Sequence, residues 1–487
     1  VCRVSPRRVR LAFRRLGLAW FSPVRIRLFG SYIHVSMALL AILEIGVCLA
    51  APYCASLIRF GLTDAPEYFD DFLAPAFVFA PAMIISMTAM GLYASQQRAR
   101  TVGVAMRLVA AAMAASIVLT VFVYLFPEVE FGRGVLAITA VLSVAGCFIV
   151  RLVFMHLLGD DLLKRRVVVF GAGQRAQSVL QLRRRTDQRG FIVVGFLRGS
   201  EDELGVPEER VIRQDQPLFE LIRSQGATEV VVALDDQRKG FPVEELLNCR
   251  MRGINVVDIV TFLERETGKV RVDMVSPSWM IFSDGFRRDI VGSALERAFD
   301  VVASVVLLAL TWPLMVLTAI AIKLEEGWRA PVIYGQTRVG FEGRHFQIRK
   351  FRSMRVDAEK DGVAAWAQKS DPRVTRVGSV IRKLRIDELP QLLNVLVGDM
   401  SFVGPRPERP EFVAELGSKI PYYHDRHWVK PGITGWAQLC YPYGSSERDA
   451  KEKLQYDLYY VKHRNVVFDL FILLETAEVV LWGKGAR

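Results

Sequence analysis

Four long apolar runs in the first third of the chain restrict its folds more than any other feature. They cover residues 35–58, 72–93, 104–126 and 135–157. Each is long enough for a helix to cross a hydrocarbon layer of about 30 Å. Charge around the runs sets their direction. The first thirty residues carry eight arginines and no acid, and the loop after the first run holds Asp64, Glu67, Asp70 and Asp71. Arg98, Arg100 and Arg107 follow the second run, Glu128 and Glu130 outweigh Arg133 after the third, and Arg151, Lys164, Arg165 and Arg166 follow the fourth. Positive charge thus alternates, which places the N-terminus and everything beyond residue 157 in the cytoplasm. The first run reads as a span and not a removable leader, because its basic region is long and three more spans follow. Apolar residues make up 52% of the chain and the net charge is +12. Arginine directly before an apolar run marks a cytoplasmic flank, so no nucleic-acid partner is expected. Glu44 lies within the first run; an intramembrane acid either serves a function or faces another helix or water.

Residues 166–289 read as a small α/β domain. Val167-Val168-Val169-Phe170 is a buried-strand pattern that runs into Gly171-Ala172-Gly173-Gln174-Arg175-Ala176. A glycine turn between strand and helix is the context of a dinucleotide fingerprint, where a pyrophosphate rests on the helix N-terminus. Further strands are expected at 192–197, 229–233 and 255–257. The acid that would hold a ribose at the end of the second strand is not evident. The domain therefore reads as a Rossmann-like structural or regulatory fold, with no bound NAD or nucleotide expected.

A fifth apolar run covers 299–322 and contains Pro313. A central proline removes a helix hydrogen bond and bends the axis. The expectation is a helix that enters the inner leaflet, turns near Trp312-Pro313 and returns, its broken backbone buried by protein or reaching headgroups. The segment 346–352 alternates apolar and basic residues and suits an interface beside lipid phosphate.

Chemistry concentrates in Arg385-Ile386-Asp387-Glu388-Leu389-Pro390-Gln391. Leu389, Leu392, Leu393 and Leu396 recur at three- and four-residue steps, the pattern of a short helix. Asp387 is expected as its N-cap, with Pro390 in the first turn and Gly398 closing it. Both carboxylates would then lie at the positive end of the helix dipole, where phosphate is also favoured. Arg373, Arg376, Arg382, Lys383, Arg385 and Arg406 crowd the same stretch. Carboxylate nucleophile, anion-binding helix end and arginines together suit chemistry on a phosphate. An ordinary capped surface helix would show the Asp-Glu pair too. His424, His427 and His463 lack the spacing of a metal motif and read as structural.

Five patterns follow one another over the last two hundred residues. They are Gln336-x-Arg338-x-Gly340, Lys350-Phe351-Arg352-Ser353-Met354, the Asp387-Glu388 segment, Gly404-Pro405-Arg406-Pro407 and Pro431-Gly432-Ile433-Thr434-Gly435-Trp436. Together they resemble the bacterial polyprenyl-phosphate glycosyl-1-phosphate transferases, from about residue 293 to the end. The resemblance implies transfer of a sugar 1-phosphate from a UDP-sugar to a polyprenyl phosphate such as undecaprenyl phosphate, with release of UMP. That is the first membrane step of exopolysaccharide, capsule or O-antigen assembly. It implies that Asp387 is the nucleophile of a ping-pong reaction through a covalent aspartyl sugar-phosphate, with Glu388 supporting it or the metal. It also implies a re-entrant helix ahead of the catalytic part, which must be cytosolic to meet a cytosolic donor. Mg²⁺ is the expected cofactor, held through Asp387, since that ion takes few carboxylates and keeps several waters. Lys350, Arg352, Arg385 and Arg406 are the candidate contacts to diphosphate and lipid phosphate. Trp436 reads as a packing residue.

The expected fold is a multi-domain protein of the bacterial cytoplasmic membrane. A basic cytoplasmic segment, 1–34, precedes a four-helix transmembrane bundle, 35–157. A Rossmann-like cytosolic α/β domain, 165–290, and an α/β catalytic domain, 293–487, with a re-entrant membrane helix at 299–322, complete it. Partners are the UDP-sugar, polyprenyl phosphate and membrane lipid, and a homodimer stays open. Two other readings compete. One is a membrane-tethered, NAD-dependent sugar-nucleotide epimerase or dehydratase, which needs a Tyr-x-x-x-Lys pair where Tyr460 is followed by Arg464. The other is a non-catalytic scaffold of polysaccharide assembly. No pattern selects the donor sugar among glucose, galactose and N-acetylated sugars.

Overall fold

The computed structural model describes residues 25–482 except 29–30, 65–68, 91, 94–100, 128–130, 163, 183–189, 200–203, 237–240, 284, 287–289, 356–372, 443 and 445. The basic segment 1–24 and the loop charges Glu67, Arg98, Arg100, Glu128 and Glu130 lie outside the described residues. The chain divides into two units, the first ending at Phe262 and the second beginning at Leu263.

In the first unit a hairpin of β1 (Arg25–Leu28) and β2 (Ser31–His34) leads into α1 (Val35–Asp64), α2 (Phe69–Ala89), α3 (Thr101–Leu125) and α4 (Arg133–Leu162). All four apolar runs are thus helices. Those of α1, α3 and α4 are long and apolar enough to cross a membrane, and α2 contributes a shorter apolar stretch, 73–88. Large apolar side chains such as Ile42, Phe77, Ile117 and Val141 are exposed on them, the reverse of a water-facing bundle. Glu44 is fully buried. Its carboxylate accepts from Arg151 Nε at 2.6 Å and from the Tyr93 hydroxyl at 2.5 Å, and Arg151 also reaches the Leu92 carbonyl at 2.9 Å. The acid in the first run faces another helix, tying α1 to α4.

A five-stranded parallel sheet comes next. Its strands are β3 (Arg165–Phe170), β4 (Phe191–Leu197), β5 (Val211–Ile212), β6 (Glu229–Val232) and β7 (Asn255–Asp258), in spatial order β5-β4-β3-β6-β7. Helices α5 (Gln174–Leu180), α6 (Leu218–Ser224) and α7 (Val243–Met251) connect them. This is the doubly wound order, with its switch point beside the first strand, β3. Val167, Val168 and Val169 are fully buried, as a strand covered on both faces requires.

The expected boundary near 290 falls earlier. α8 (Ile259–Thr267) carries the chain into the second unit, and residues just beyond it pack there. Val270 and Val272 share a core with Val413, Leu416 and Leu458. Glu264 pairs with Lys462 at 2.8 Å, both buried. A local apolar pattern shows that a segment is buried but not against which core.

In the second unit α9 (Ile290–Glu326) is a single helix of 37 residues, long and apolar enough to cross a membrane. Pro313 does not break it, contrary to expectation: the helix runs through. An interior proline deletes one hydrogen bond and crowds the preceding turn, which bends a helix more readily than it ends one. α9 is fastened to the same unit near both ends. Arg297 donates to the Val395 and Leu396 carbonyls, both at 2.7 Å. Glu325 accepts from the Arg376 and Val377 N–H groups at 2.7 and 2.9 Å. Its buried residues are Asp300, Ser304, Thr318 and Ile322, whereas Leu310, Trp312 and Leu314 between them are exposed.

β8 (Ile333–Val339) and β9 (His345–Phe351) form an antiparallel hairpin. The alternating segment 346–352 is therefore mostly strand, with Ile348 and Phe351 buried in the protein. α10 (Arg376–Lys383) and α11 (Gln391–Val397) come after it, then β10 (Ser401–Val403), which pairs in parallel with β11 (Gly432–Thr434). Glycine is obligatory at this pairing. A Cβ on Gly432 would lie 2.1 Å from the Gly404 nitrogen, and one on Gly435 would lie 2.2 Å from the Gly404 oxygen. Two of the five patterns thus run in backbone contact. α12 (Glu447–His463) and α13 (Val466–Trp482) close the unit. Trp436 is buried and donates to the Gly268 carbonyl at 2.8 Å, a packing residue as expected.

Candidate functional site

The site grows from the link between α10 and α11. Past Lys383 the chain passes through Arg385 in the left-handed region (φ 59°) into a 3₁₀ turn, Ile386–Glu388. A non-glycine residue there costs on the order of 1 kcal/mol, and such strain gathers at functional turns. α11 begins only at Gln391, with Pro390 as its N-cap. Asp387 is therefore not the helix cap expected; both carboxylates sit in the turn ahead of the helix. Pro390 has no N–H to lose, so helical bonding starts cleanly after it. Gly398 ends α11 in the left-handed conformation (φ 104°), as expected.

Glu388 gathers positive charge. Its Oε1 lies 3.3 Å from Lys350 Nζ on β9, 3.3 Å from Arg406 and 3.6 Å from Arg385. Burial opposes its ionisation, but these three cations outweigh burial and hold its carboxyl down to about 2. Asp387 differs. Its Oδ1 is buried with no hydrogen-bond partner. Burial, reinforced by the charge of Glu388, raises its carboxyl above the ordinary range, partly offset by Lys350 and Arg385. Burial, reinforced by Arg406, also lowers the Lys350 ammonium. One acid is committed to its neighbours, and the other is desolvated with a lone pair to spare.

A small cleft of about 10 Å³, room for roughly one water, opens beside this cluster, its wall including Arg338, Lys350, Gln391 and Arg406. Three of the four expected phosphate contacts, Lys350, Arg385 and Arg406, come together here. Arg352 does not: its Nε donates to the Pro331 carbonyl at 2.9 Å and its guanidinium lies over the Tyr334 ring. Arg338 and Gln391 escaped the sequence reading. Arg338 belongs to one of the five patterns, and that was the signal for it; nothing local marks Gln391.

Other candidates are placed elsewhere. The buried Tyr460 hydroxyl sits 3.1 Å from the Val403 carbonyl and 2.8 Å from Asp469, which removes the base that an epimerase would need. His427 is pushed down to about 3 by burial and by Arg426, and bonds the His424 carbonyl. No group of three or more His, Cys, Asp or Glu side chains that could hold a metal occurs among the described residues. An ion that keeps its waters and shares phosphate oxygens, as Mg²⁺ does, still fits the partnerless Asp387 oxygen.

The glycine fingerprint is already occupied. The N–H groups of Gln174 and Arg175 donate to Asp235 Oδ2 and Oδ1, both at 2.8 Å. A Cβ on Gly173 would lie 1.9 Å from Asp235 Oδ2, and Gly205 N–H bonds the Ala172 carbonyl at 2.8 Å. The chain's own carboxylate stands where a ligand's diphosphate would rest.

The bacterial sugar transferase family matches residues 291–483, and a CoA-binding domain family matches residues 88–240. The chain is 42% identical over 253 residues to UDP-N-acetylgalactosamine-undecaprenyl-phosphate N-acetylgalactosaminephosphotransferase of Aeromonas hydrophila, covering 52% of this chain and 58% of that relative. It is 33% identical over 343 residues to UDP-glucose:undecaprenyl-phosphate glucose-1-phosphate transferase of Xanthomonas campestris pv. campestris, covering 68% and 69%. It is 30% identical over 349 residues to undecaprenyl-phosphate galactose phosphotransferase of Salmonella typhimurium, covering 68% and 71%. The chain thus spans less than two thirds of the first relative and rather more of the other two. The CoA-binding match includes the fingerprint turn, but Asp235 already takes its N–H groups, so the residues present do not fit a CoA diphosphate there.

Proposed function

The chain belongs to the bacterial sugar transferases, and from that premise we propose that it moves a sugar 1-phosphate from a UDP-sugar to undecaprenyl phosphate, releasing UMP, at the start of polysaccharide assembly. The observation that carries this reading is the buried, partnerless Asp387 oxygen beside three cations gathered on Glu388. Asp387 is the nucleophile. Its oxygen forms a bond to the sugar-bearing phosphorus as the bond to the bridging oxygen breaks, and that oxygen leaves with its electron pair on UMP. An oxygen of the polyprenyl phosphate then attacks the same phosphorus and frees the carboxylate. Lys350, Arg385 and Arg406 meet the phosphate charge, and Glu388 keeps these cations in order before substrate arrives. Asp387 would also hold Mg²⁺, which would supply neutralisation of charge on the diphosphate. Relatives named for N-acetylgalactosamine, glucose and galactose support a hexose or N-acetylhexosamine donor.

The test omits the lipid. Wild-type protein incubated with labelled UDP-sugar and Mg²⁺ should release one burst of UMP and carry a sugar-phosphate on the peptide containing Asp387. Asp387→Asn should carry none and lose turnover by about 10³-fold or more, as nucleophile removal does elsewhere. UMP release only when both substrates are bound would exclude the covalent route.

The unit sits at the cytosolic face of the bacterial inner membrane, where UDP-sugars are found. α9 is tied down at Arg297 and again at Glu325 while Leu310, Trp312 and Leu314 stay exposed, which supports a helix bent at Pro313 that dips into lipid and returns. Cysteines at Ala294 and Trp328 should both resist impermeant reagents added from outside. Labelling of either from that side means a true crossing.

A further inference from the structure

The loop that presents Arg406 is held by its carbonyls. Pro405 and Pro407 have no N–H to offer, so the loop cannot be fixed through those donors. The Pro405 carbonyl accepts from Gly432 N–H at 3.0 Å, that of Arg406 from Arg426 at 3.0 Å, and that of Pro407 from Arg338 at 3.0 Å. The middle bond stands out. Arg426 is only 6% exposed, yet its guanidinium also donates to the Tyr423 hydroxyl at 2.9 Å and lies 2.8 Å from Asp457 on α12. It neither lines the cleft nor pairs with Asp387 or Glu388. A buried ion pair adds little net stability over an apolar pair of the same shape, so stability alone is a weak reason for it.

We propose that Arg426, anchored by Asp457, is a positioning residue. It fixes the main chain at Arg406 so that the Arg406 guanidinium meets Glu388 and the incoming phosphate. The inference rests on the transferase reading, and its test separates the two. Arg426→Lys keeps a charge opposite Asp457, but one ammonium cannot reproduce the planar fork that reaches Tyr423, Arg406 and Asp457 together. kcat/KM for the UDP-sugar, and the affinity for UDP, which needs no turnover, are measured for wild type, Arg426→Lys, Arg406→Ala and the double variant. Thermal unfolding monitors the fold of each.

Arg426→Lys alone should lower both quantities by about tenfold. In the Arg406→Ala background the same change should cost less than about twofold, because the group it positions is already gone. Losses that multiply, a folded Arg426→Lys with wild-type values, or a fully active Arg406→Ala would each overturn the proposal. If Arg426→Lys does not fold, Asp457→Asn, which removes the anchor and leaves the guanidinium, takes its place in the same cycle. If neither folds, Arg426 maintains the fold and the proposal falls. Wild-type protein that releases no UMP from any UDP-sugar sinks the transferase reading instead.

Discussion

Two turns in this chain bring a carboxylate to a place where phosphate belongs, and they treat it in opposite ways. At Gly171-Ala172-Gly173, Asp235 gives both oxygens to the N–H groups of Gln174 and Arg175. At Ile386–Glu388, Glu388 absorbs the cations and Asp387 keeps an oxygen with no partner. The first acid is a strut, because the Gln174 and Arg175 N–H groups already have it as their acceptor. The second is desolvated and uncommitted, the condition in which a carboxylate can bind an ion or attack phosphorus. What separates a working site from a closed one is therefore unspent hydrogen-bonding capacity and not the presence of a motif.

After Asp387→Asn, the largest effect should come from Glu388→Gln. It leaves Lys350, Arg385 and Arg406 facing one another without their anion. Removing one member of a fully buried charge pair costs about 3–5 kcal/mol; Glu388 is only partly buried and Arg385 is exposed, so the cost here should fall below that range. Turnover should fall by about 10²-fold or more, and a thermal melt should show reduced stability. An active, fully stable Glu388→Gln would erase the contrast between the two turns.

A smaller effect sharpens it. Lys350→Met should lower kcat/KM for the UDP-sugar by about tenfold or more, the scale of one lost charge-assisted contact. Arg352→Met should cost only a few-fold, because its guanidinium is engaged by Pro331 and Tyr334. Equal losses from the two would return Arg352 to the phosphate site.

The smallest effect belongs to the first turn. Asp235→Asn should leave specific activity within about twofold, since no step of the reaction passes through this turn. Equilibrium dialysis should find neither NAD nor CoA bound to wild type. Tight binding of either, or loss of activity in a folded Asp235→Asn, would mean that the first turn is a working site after all. Gly173→Asp is a poor probe here, because its Cβ would strike Asp235 before any ligand mattered.

Much of this was legible along the chain. The four apolar runs became α1 to α4, and the strand signals at 192–197, 229–233 and 255–257 fell within about a residue of β4, β6 and β7. Lys350, Arg385 and Arg406 were named as phosphate contacts and do converge. The cap at Asp387 was misread, because apolar spacing shows where a helix lies but not whether its first turn is α or 3₁₀. Arg352 lies one residue past the end of β9, where strand alternation no longer fixes its direction, and only the fold shows that its guanidinium meets Pro331 and Tyr334.

The sequence by itself determined the elements and the family: long apolar runs, strand and helix periods, and five patterns in order are properties of neighbouring residues. Only the tertiary structure decided which groups were left over. Glu388 draws its cations from a strand, its own turn and a distant loop, and Asp235 reaches the fingerprint from 61 residues away. Periodicity is local, so it can be read along the chain. Saturation of a donor or an acceptor depends on every group within about 3 Å in space, and no local pattern records that.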